Sequence, residues 1–277
     1  MGFIGLGNIG GPMARNLLNG PFELLVHDVD PAAVAVLTAA GATAATPDRI
    51  ARRCPLISLC VRGEDEVESL LHGSEGLLAN SAPDAIVAIH STVTQQAIGR
   101  WSEAAAAFGV RVIDAPVTGG SHGAKARELV YMVGADAADL QRCAPAFETS
   151  ARRIVHAGPV GTGIALKLCL NMMTFAAFIA IKEATTLARA AGLDPEVLYE
   201  LGRSNGTVGD FNQRFIGNRS AIFERCDAAT ARAIFEPFGR LGEKDLAAAL
   251  ETARALGVDL PATRHHRELI LDTFIQP

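Results

Sequence analysis

Three glycines near the start of the chain, spaced as Gly-x-Gly-x-x-Gly, restrict its first structural unit more than any other feature. They follow Phe3 and Ile4, which predict a short strand, and they lead into a helical pattern. Gly5 permits a tight turn, Gly7 lets the backbone approach a pyrophosphate, and Gly10 lets the helix pack closely on the strand. The helix would direct free N–H groups and its positive dipole end at that pyrophosphate. We therefore predict a dinucleotide-binding turn formed by Gly5, Leu6, Gly7, Asn8, Ile9 and Gly10.

An acidic residue closes the next predicted strand. Residues 23–27 are mostly apolar, and Asp28 follows them. A carboxylate at this point accepts hydrogen bonds from the ribose hydroxyls of an adenosine and repels a ribose phosphate. Asp28 therefore predicts a cofactor site that prefers NAD over NADP. The alternative is that Asp28 only caps the helix beginning at Pro31, although Asp30 is better placed for that role.

The composition is typical of a soluble globular enzyme with reduced thiols. Of the 277 residues, 49% are hydrophobic and 20% are charged, and the net charge is −5 without a run of Lys or Arg. This charge balance disfavours nucleic acid or an anionic membrane as the main partner. The five cysteines are odd in number and lack CxxC spacing. Because the sequence starts inside its first strand, we expect no signal peptide. Together with reduced cysteines, this predicts a cytoplasmic protein.

Short apolar runs alternate with Ala-rich helical runs up to about residue 158. This alternation predicts an α/β fold with a Rossmann-type doubly wound sheet, and it leaves open an antiparallel pairing among the later strands. The Gly-Pro-Gly stretch over residues 158–163 ends the pattern, and only helical patterns follow, including one over 240–256. We predict a dinucleotide-binding domain over residues 1–158 and an all-α domain for substrate binding and oligomerisation over residues 159–277.

The apolar segment 164–181 has nearly the length of a membrane span. It contains Lys167 and Asn171, and further helical sequence follows it. A helix that is apolar on most sides, in a chain that is otherwise soluble, is usually buried in protein. We expect a core helix, which a second subunit could share.

Lys167 and Asn171 interrupt this apolar segment, and their i, i+4 spacing places them on one helix face. Burial lowers the pKa of a lysine toward the range in which it exchanges protons near neutral pH. Lys167 is thus a candidate general acid/base, and Asn171 is a candidate to orient a substrate oxygen. The alternative is a lysine that extends from a half-buried helix into solvent, with Asn171 bonded to a neighbouring loop.

Two further segments follow predicted strands and carry hydroxyl groups or consecutive glycines. Thr118, Gly119 and Gly120 offer a hydroxyl and backbone N–H groups that can hold a carboxylate, although Pro and Gly also favour a simple turn there. Ser91 and Thr92 end a strand at the sheet edge where open α/β folds bind ligands. Their hydroxyls can contact a nicotinamide or cap the next helix.

Other chemistries lack support in the sequence. The seven histidines show no HxH or HExxH spacing, so we predict no metal site, and a GxSxG motif is absent. Lys244 and Asp245 form a common dipeptide, and the simplest interpretation of it is a solvated helix surface.

Taken together, these segments resemble the β-hydroxyacid dehydrogenase family, and in particular its 3-hydroxyisobutyrate dehydrogenase-like members, over nearly the whole chain. Residues 2–17 resemble the cofactor signature of that family, and residues 114–120 resemble its substrate-binding segment. Residues 163–171 match its G-x-x-x-K-x-x-x-N catalytic stretch, and Lys244 stands where the family carries a Lys-Asp pair.

The resemblance implies reversible oxidation of a small 3-hydroxy acid with NAD, in a homodimer or homotetramer. It implies that Lys167 is the general acid/base and that Asn171 contacts the substrate. It also implies that the substrate carboxylate is bound by Thr118, Gly119 and Gly120. The cofactor would be contacted by Ser91, Thr92 and Lys244.

Four positions depart from the usual residues of the family: Thr118 replaces Ser, Arg127 replaces Gly, Leu170 replaces Asn, and Ile9 replaces Met. These changes leave the chemistry intact and the particular substrate open. An imine reductase usually carries Asp or Tyr at the lysine position, and 6-phosphogluconate dehydrogenase has a far longer helical part. The alternatives are a reductase of a semialdehyde or imine on the same scaffold, or a non-catalytic dinucleotide sensor or scaffold.

Overall fold

The computed structural model describes residues 1–276, apart from the side chains of residues 210, 214, 216, 218 and 220. The chain divides into two compact units, Met1–Lys167 and Leu168–Pro277. The first unit contains a parallel-rich sheet with helices, and the described residues of the second are helices and their connections. The predicted fold class, a Rossmann-type doubly wound sheet followed by a helical domain, is confirmed.

The strands of the described chain form one nine-stranded sheet in the first unit. They are β1 (Gly2–Ile4), β2 (Leu25–His27), β3 (Thr43–Ala44), β4 (Leu56–Leu59), β5 (Ile86–Ile89), β6 (Arg111–Asp114), β7 (Val117–Thr118), β8 (Leu129–Gly134) and β9 (Ala151–Gly158). Their order is β3-β2-β1-β4-β5-β6-β8-β7, and β9 pairs with β8. Pairing is parallel from β3 across to β6, whereas β8 runs antiparallel to β6 and β7. The antiparallel pairing that the sequence leaves open is therefore present at β8.

Helices connect these strands and then continue without strands. The first unit holds α1 (Gly10–Leu17), α2 (Pro31–Ala39), α3 (Pro47–Arg53), α4 (Glu64–Leu71), α5 (Leu77–Asn80), α6 (Gln95–Ala106), α7 (Gly120–Ala126) and α8 (Ala137–Phe147). Helix α9 (Thr162–Ala190) begins in the first unit and continues in the second. The later helices are α10 (Pro195–Ser204), α11 (Asp210–Arg225), α12 (Ala228–Ala255) and α13 (Pro261–Ile275).

Helix α12 begins well before the helix that the sequence predicts over 240–256. The side chain of Asp227 caps it by accepting hydrogen bonds from the N–H groups of Ala229 and Thr230, both at 3.0 Å. Pro237 lies inside the helix. A proline within a helical pattern predicts a helix end, because it lacks the N–H that the helix uses. The prediction therefore missed the first part of α12.

The imidazole of His90, directly after β5, lies in the core of the first unit. Its Nδ1 lies 2.8 Å from the carbonyl oxygen of Ala115, and its Nε2 lies 3.0 Å from Oγ of Ser58. Because a carbonyl only accepts, Nδ1 carries the proton and the Ser58 hydroxyl donates to Nε2. Burial lowers the pKa of His90 to about 4. Three aromatic rings surround the neutral imidazole: Phe3, Tyr131 and Phe147.

The helical unit has a separate aromatic core, to which α9, α12 and α13 contribute. Its buried members are Phe175, Phe178, Ile179, Phe235, Leu246, Ile270 and Phe274. Among the described residues α9 is the one helix that is long and apolar enough to cross a bilayer, with a mean hydropathy of 2.0 over 18 residues, of which 39% are buried. Because three residues of α9 belong to this core, α9 acts as a core helix of its unit.

Arg127 is held in a backbone conformation that favours glycine. It follows α7 as the C-cap residue with φ = 60° and ψ = 37°. A side chain in this left-handed region costs about 1–2 kcal/mol, which exceeds the entropic cost of folding a glycine, about 0.5–1 kcal/mol.

We expect Arg127→Gly to raise the free energy of unfolding by about 0.5–1 kcal/mol. Urea unfolding followed by the fluorescence of Trp101, the single tryptophan, measures this change. The control Arg127→Ala keeps a Cβ, and an equal gain in that variant would contradict the explanation.

Because folded His90 stays neutral, the free energy of unfolding of the first unit depends on pH. An unfolded histidine takes up its proton below pH 6.5, whereas folded His90 does so only near its pKa of about 4. The unfolded chain therefore binds more protons between these values, and the free energy of unfolding falls as the pH is lowered. We expect this single group to lower the free energy of unfolding by about 3 kcal/mol across the window.

We expect His90→Gln to remove most of that loss, because glutamine can bond to Ala115 and Ser58 without titrating. Urea unfolding of both proteins at pH 7 and pH 4.5, followed by Trp101 fluorescence, measures the difference. Equal losses of stability in the two proteins would show that His90 is not the responsible group.

Candidate active site

The turn after β1 has the shape that its glycines predict. Gly5 has φ = +94°, and a Cβ there would lie 2.3 Å from the carbonyl oxygen of Cys60. A Cβ on Gly10 would lie 2.0 Å from the carbonyl oxygen of Gly5, so α1 can approach the turn only without a side chain there. A Cβ on Gly7 would meet nothing within 4 Å. Backbone contacts thus require Gly5 and Gly10, whereas Gly7 faces open space.

The N-terminus of α1 fits an anionic group. Its N-cap residue is Ile9, whose side chain has no acceptor for the first N–H groups of the helix. Gly7 and Asn8 are exposed beside it. A helix N-terminus without a side-chain cap, next to a glycine that leaves space, is a suitable site for the pyrophosphate of a dinucleotide.

Asp28 follows β2 and is bonded to the backbone through both carboxylate oxygens. Its Oδ2 accepts from the N–H of Leu6 at 2.5 Å, and its Oδ1 accepts from the N–H of Asp30 at 2.8 Å. The cap of α2 is Asp30, whose Oδ1 accepts from the N–H of Ala32 at 2.9 Å. Asp28 therefore connects the end of β2 to the glycine turn, and it does not cap α2.

The glycine turn and Asp28 lie at the point where the strand order reverses. Strand β1 pairs with β2 on one side and with β4 on the other, and all three strands are parallel. The turn after β1 therefore lies at the carboxyl edge of the sheet, at a switch point between two windings. Open α/β sheets bind ligands at such points.

The hydroxyl of Ser91, after β5, is bonded to the neighbouring loop. It donates to the carbonyl oxygen of Val61 at 2.8 Å and accepts from the N–H of Val61 at 3.0 Å. Thr92 is half-buried next to it. The cap of α6 is Thr94, whose Oγ1 accepts from the N–H of Ala97 at 3.2 Å. Ser91 thus fixes the loop after β4, and the N-cap residue of α6 is Thr94.

Consecutive glycines with positive φ follow Thr118 at the end of β7. Gly119 has φ = +125° and Gly120 has φ = +61°. A Cβ on Gly119 would lie 3.1 Å from Cδ2 of Leu129, whereas one on Gly120 would meet nothing within 4 Å. Successive residues in such conformations can turn neighbouring N–H groups toward one anion. The half-buried hydroxyl of Thr118 lies beside them in the chain.

Lys167 and Asn171 lie one turn apart on α9, and both are buried, with 9% and 8% of their surface exposed. The predicted alternative of a lysine extended into solvent does not agree with this burial. The Nδ2 of Asn171 donates to Oδ2 of Asp245 on α12 at 2.7 Å. Asp245 also forms an ion pair with Lys244, whose Nζ lies 2.8 Å from its Oδ1.

The interaction with Asp245 fixes the amide of Asn171, and Asp245 is not among the predicted site residues, although the resemblance includes it in the Lys-Asp pair. Asp245 is only 3% exposed, so the interpretation of this dipeptide as solvated surface is wrong for Asp245. Lys244 is partly exposed, with 34% of its side-chain surface accessible. Asp245 accepts from one N–H of the Asn171 amide, so the amide oxygen and the second N–H are the groups that Asp245 leaves for a substrate.

The sequence-based site also omits Asp114, at the end of β6. This carboxylate is fully buried and accepts hydrogen bonds from the N–H groups of Gly161 and Ile164, at 2.6 and 2.7 Å. Burial raises its pKa to about 6, although the hydrogen bonds from backbone N–H groups oppose the shift. The sequence does carry a signal for this residue, since an ionisable residue ends an apolar strand. A buried carboxylate at such a position needs hydrogen-bond donors around it.

The described residues of the first unit therefore include a turn of suitable shape for an anion and a buried amine, that of Lys167. Among these residues no group of three or more His, Cys, Asp or Glu side chains is arranged to hold a metal ion. Dinucleotide binding at the turn and proton transfer at the amine are the chemistry that this arrangement supports.

Comparison with known proteins identifies relatives over nearly the whole chain. Residues 1–158 match the family model described as the NAD binding domain of 6-phosphogluconate dehydrogenase, and residues 161–274 match the one described as NAD-binding of NADP-dependent 3-hydroxyisobutyrate dehydrogenase. The chain is 37% identical over 262 residues to the NAD-dependent L-serine dehydrogenase of Pseudomonas aeruginosa, covering 94% of this chain and 87% of that protein. The 3-hydroxyisobutyrate dehydrogenase of the same organism is 36% identical over 264 residues, with the same coverage.

A solved structure of Mycobacterium tuberculosis 3-hydroxyisobutyrate dehydrogenase with L-serine has the same fold. It superposes with a TM-score of 0.81 at 27% sequence identity, and the match covers 98% of this chain and 92% of that one. The fold and the site thus define an NAD(P)-binding oxidoreductase. The chain belongs to the β-hydroxyacid dehydrogenase family, whose members include NAD(P)-dependent dehydrogenases of small hydroxy acids.

The open space at Gly7 allows a test of the dinucleotide site that leaves the fold intact. We expect Gly7→Ala to keep the thermal stability of the protein but to weaken NADH binding by about tenfold or more, because the methyl occupies space that the pyrophosphate needs. Titration of NADH fluorescence measures the affinity.

Gly99 on α6 provides the matched control, since a Cβ there also meets nothing within 4 Å. Gly99→Ala should leave NADH affinity unchanged. If Gly7→Ala binds NADH as tightly as Gly99→Ala does, the dinucleotide does not lie against Gly7.

Proposed function

We propose that the protein is an NAD-dependent dehydrogenase that reversibly oxidises a small 3-hydroxy acid to the corresponding aldehyde or keto acid. The observation that carries this proposal is the buried Lys167, one helical turn before an asparagine whose amide is fixed by Asp245. Relatives that are 36–37% identical over most of the chain are named as dehydrogenases of serine and 3-hydroxyisobutyrate, both small acids with a 3-hydroxyl group.

The proposed mechanism assigns the proton to Lys167 and the substrate carboxylate to the segment after β7. The N–H groups of Gly119 and Gly120, with the hydroxyl of Thr118, hold the carboxylate and orient the hydroxyl-bearing carbon. Lys167 in its neutral form takes the hydroxyl proton during oxidation, and as an ammonium it returns a proton to the developing alkoxide during reduction. Asn171 accepts a hydrogen bond from the substrate through its amide oxygen. NAD, when bound, supplies the hydride chemistry by accepting the hydride from that carbon.

The cofactor contacts proposed for the first unit follow from the turn after β1. The turn formed by Gly5, Leu6, Gly7, Asn8, Ile9 and Gly10 would hold the pyrophosphate, and within it the N–H of Leu6 donates to Asp28. The carboxylate of Asp28 would accept from the ribose hydroxyls and repel a ribose phosphate, which supports NAD over NADP. The remaining contacts would come from Ser91, Thr92 and Lys244.

The proposal extends to domain roles, assembly and location. We propose that residues 1–158 form the dinucleotide-binding domain and that residues 159–277, of which Pro277 lies outside the described residues, serve substrate binding and oligomerisation. Met173 and Leu187 of α9 expose more than two thirds of their surface, at 72% and 71%. Such exposed apolar residues on a long helix support a homodimer or homotetramer, in a cytoplasmic protein with reduced cysteines.

We expect Lys167→Ala to bind NADH like the wild type but to lose about 10²–10⁴-fold in kcat, because the proton loses its acceptor. The assay measures NADH formation from NAD with a panel of 3-hydroxy acids, and a parallel series with NADP tests the role of Asp28. Lys182→Ala is the matched control, because Lys182 lies on the same helix and outside the proposed site.

Each outcome of this assay is informative. Turnover that depends on Lys167 and not on Lys182 supports the dehydrogenase, and the ranking of the acids identifies the substrate group. Wild-type turnover in Lys167→Ala would overturn the mechanism. If NADH binds but no acid is oxidised, the protein is a reductase of a semialdehyde or imine, or a non-catalytic dinucleotide sensor.

A further inference from the structure

The buried carboxylate of Asp114 contacts the start of the helix that carries Lys167. Oδ1 accepts from the N–H of Gly161 at 2.6 Å, and Oδ2 accepts from the N–H of Ile164 at 2.7 Å. The first N–H groups of a helix have no partner within the helix. From the end of strand β6, Asp114 therefore supplies acceptors for N–H groups at the N-terminus of α9. Asp114 and Gly161 are 47 residues apart in the chain.

The residues around Asp114 leave space for its carboxylate. A Cβ on Gly134 would lie 2.4 Å from Oδ1 of Asp114, and a Cβ on Gly163 would lie 2.9 Å from Oδ2. The Cβ of Gly163 would also lie 2.3 Å from the carbonyl oxygen of Met132 on β8. The first turn of α9 thus packs directly on the backbone of the sheet, and the carboxylate occupies the space between them.

Asp114 also begins the chain segment that leads to the proposed carboxylate-binding turn. Thr118 lies four residues after it, and the N–H of Ala115 donates to the carbonyl oxygen of Ile89 on β5 at 2.8 Å. Lys167 lies three residues after Ile164, on the adjacent helical turn and the same face. One buried side chain therefore connects the segment that would hold the substrate to the helix that would supply the proton.

We propose that Asp114 is a positioning residue for the reaction: its two hydrogen bonds fix the first turn of α9 on β6 and so set the position of Lys167 relative to Thr118, Gly119 and Gly120. The inference rests on the proposed function. Asp114 touches neither substrate nor cofactor in this scheme, and it acts through the backbone of Gly161 and Ile164.

The charge on this carboxylate matters because both of its partners are donors. An ionised carboxylate accepts both N–H bonds, whereas a protonated one turns an O–H toward one of them. Burial raises the pKa of Asp114 to about 6. The titratable groups on the neighbouring elements include His90 after β5, Tyr131 on β8, His156 on β9 and Lys167 on α9. His90 stays neutral above pH 5, because burial lowers its pKa to about 4.

Asp114→Asn tests the proposal, because asparagine keeps the shape but replaces one acceptor with a donor. We expect NADH affinity within about twofold of the wild type and a kcat that is about 10- to 100-fold lower, with a smaller change in KM, because small misplacements of a catalytic group cost rate. The control is Asp139→Asn. Asp139 is also a buried carboxylate of the first unit, but it is paired with Arg111 and Arg142. Its loss should lower stability without lowering kcat.

The pH profile distinguishes positioning from a purely structural role. The proposed mechanism uses the ammonium form of Lys167 in the reduction direction, and low pH favours that form, so Lys167 should not limit the rate there. We expect the wild-type kcat for reduction to fall as the pH drops through about 6 toward the value of Asp114→Asn. Asp114→Asn should lack this acid limb, although it retains His90 and His156.

The outcomes separate the two proposals. Turnover of a 3-hydroxy acid that depends on Lys167 tests the proposed function. A folded Asp114→Asn with a kcat within twofold of the wild type overturns the positioning role and leaves that function standing. If Asp114→Asn does not fold, the wild-type profile decides, because a kcat for reduction that stays flat from pH 7.5 to pH 5 also overturns the role. An equal loss of kcat in Asp139→Asn would overturn it as well.

Discussion

The parallel pairing of β1 with β2 and β4 is the constraint on which the candidate site depends. Parallel strands end at one edge of a sheet, so the glycine turn after β1 and Asp28 after β2 lie at that edge. The same pairing continues through β5 to β6, which brings Ser91 and the segment beginning at Asp114 to the same side. The parallel direction of the strands thus brings the residues of the candidate site to one edge of the sheet, although they are far apart in the sequence.

Hydrogen bonds between side chains and backbone amides hold this edge together. Asp28 accepts from Leu6, Ser91 exchanges two hydrogen bonds with Val61, and Asp114 accepts from Gly161 and Ile164. Each bond joins segments that are far apart in the chain. Groups fixed in this way are already ordered before a ligand arrives, which lowers the entropic cost of binding.

The sequence predicts the parts of this protein that local patterns encode. The glycine turn, the doubly wound sheet and the helical second half follow from spacing and periodicity, and the structure shows each of them. The two-residue strands β3 and β7 are too short to give a pattern, and Pro237 concealed the first part of α12. The partners of Asp114 and Asp245 lie 47 and 74 residues away, so no local signal could identify them. The burial of Lys167 agrees with the predicted general acid/base, whose role stays a prediction.

The continuity of α9 means that Lys167 and Asn171 are related by an angle as well as by a distance. Each residue of an α-helix advances the side-chain direction by about 100°, so a spacing of four residues returns to within about 40° of the starting direction. A single residue inserted between them would rotate Asn171, with its bond to Asp245, away from the face that Lys167 occupies. The four-residue spacing therefore fixes the angle between the two side chains around the helix axis. Substitutions of the residues between them preserve this angle, whereas an insertion or deletion changes it.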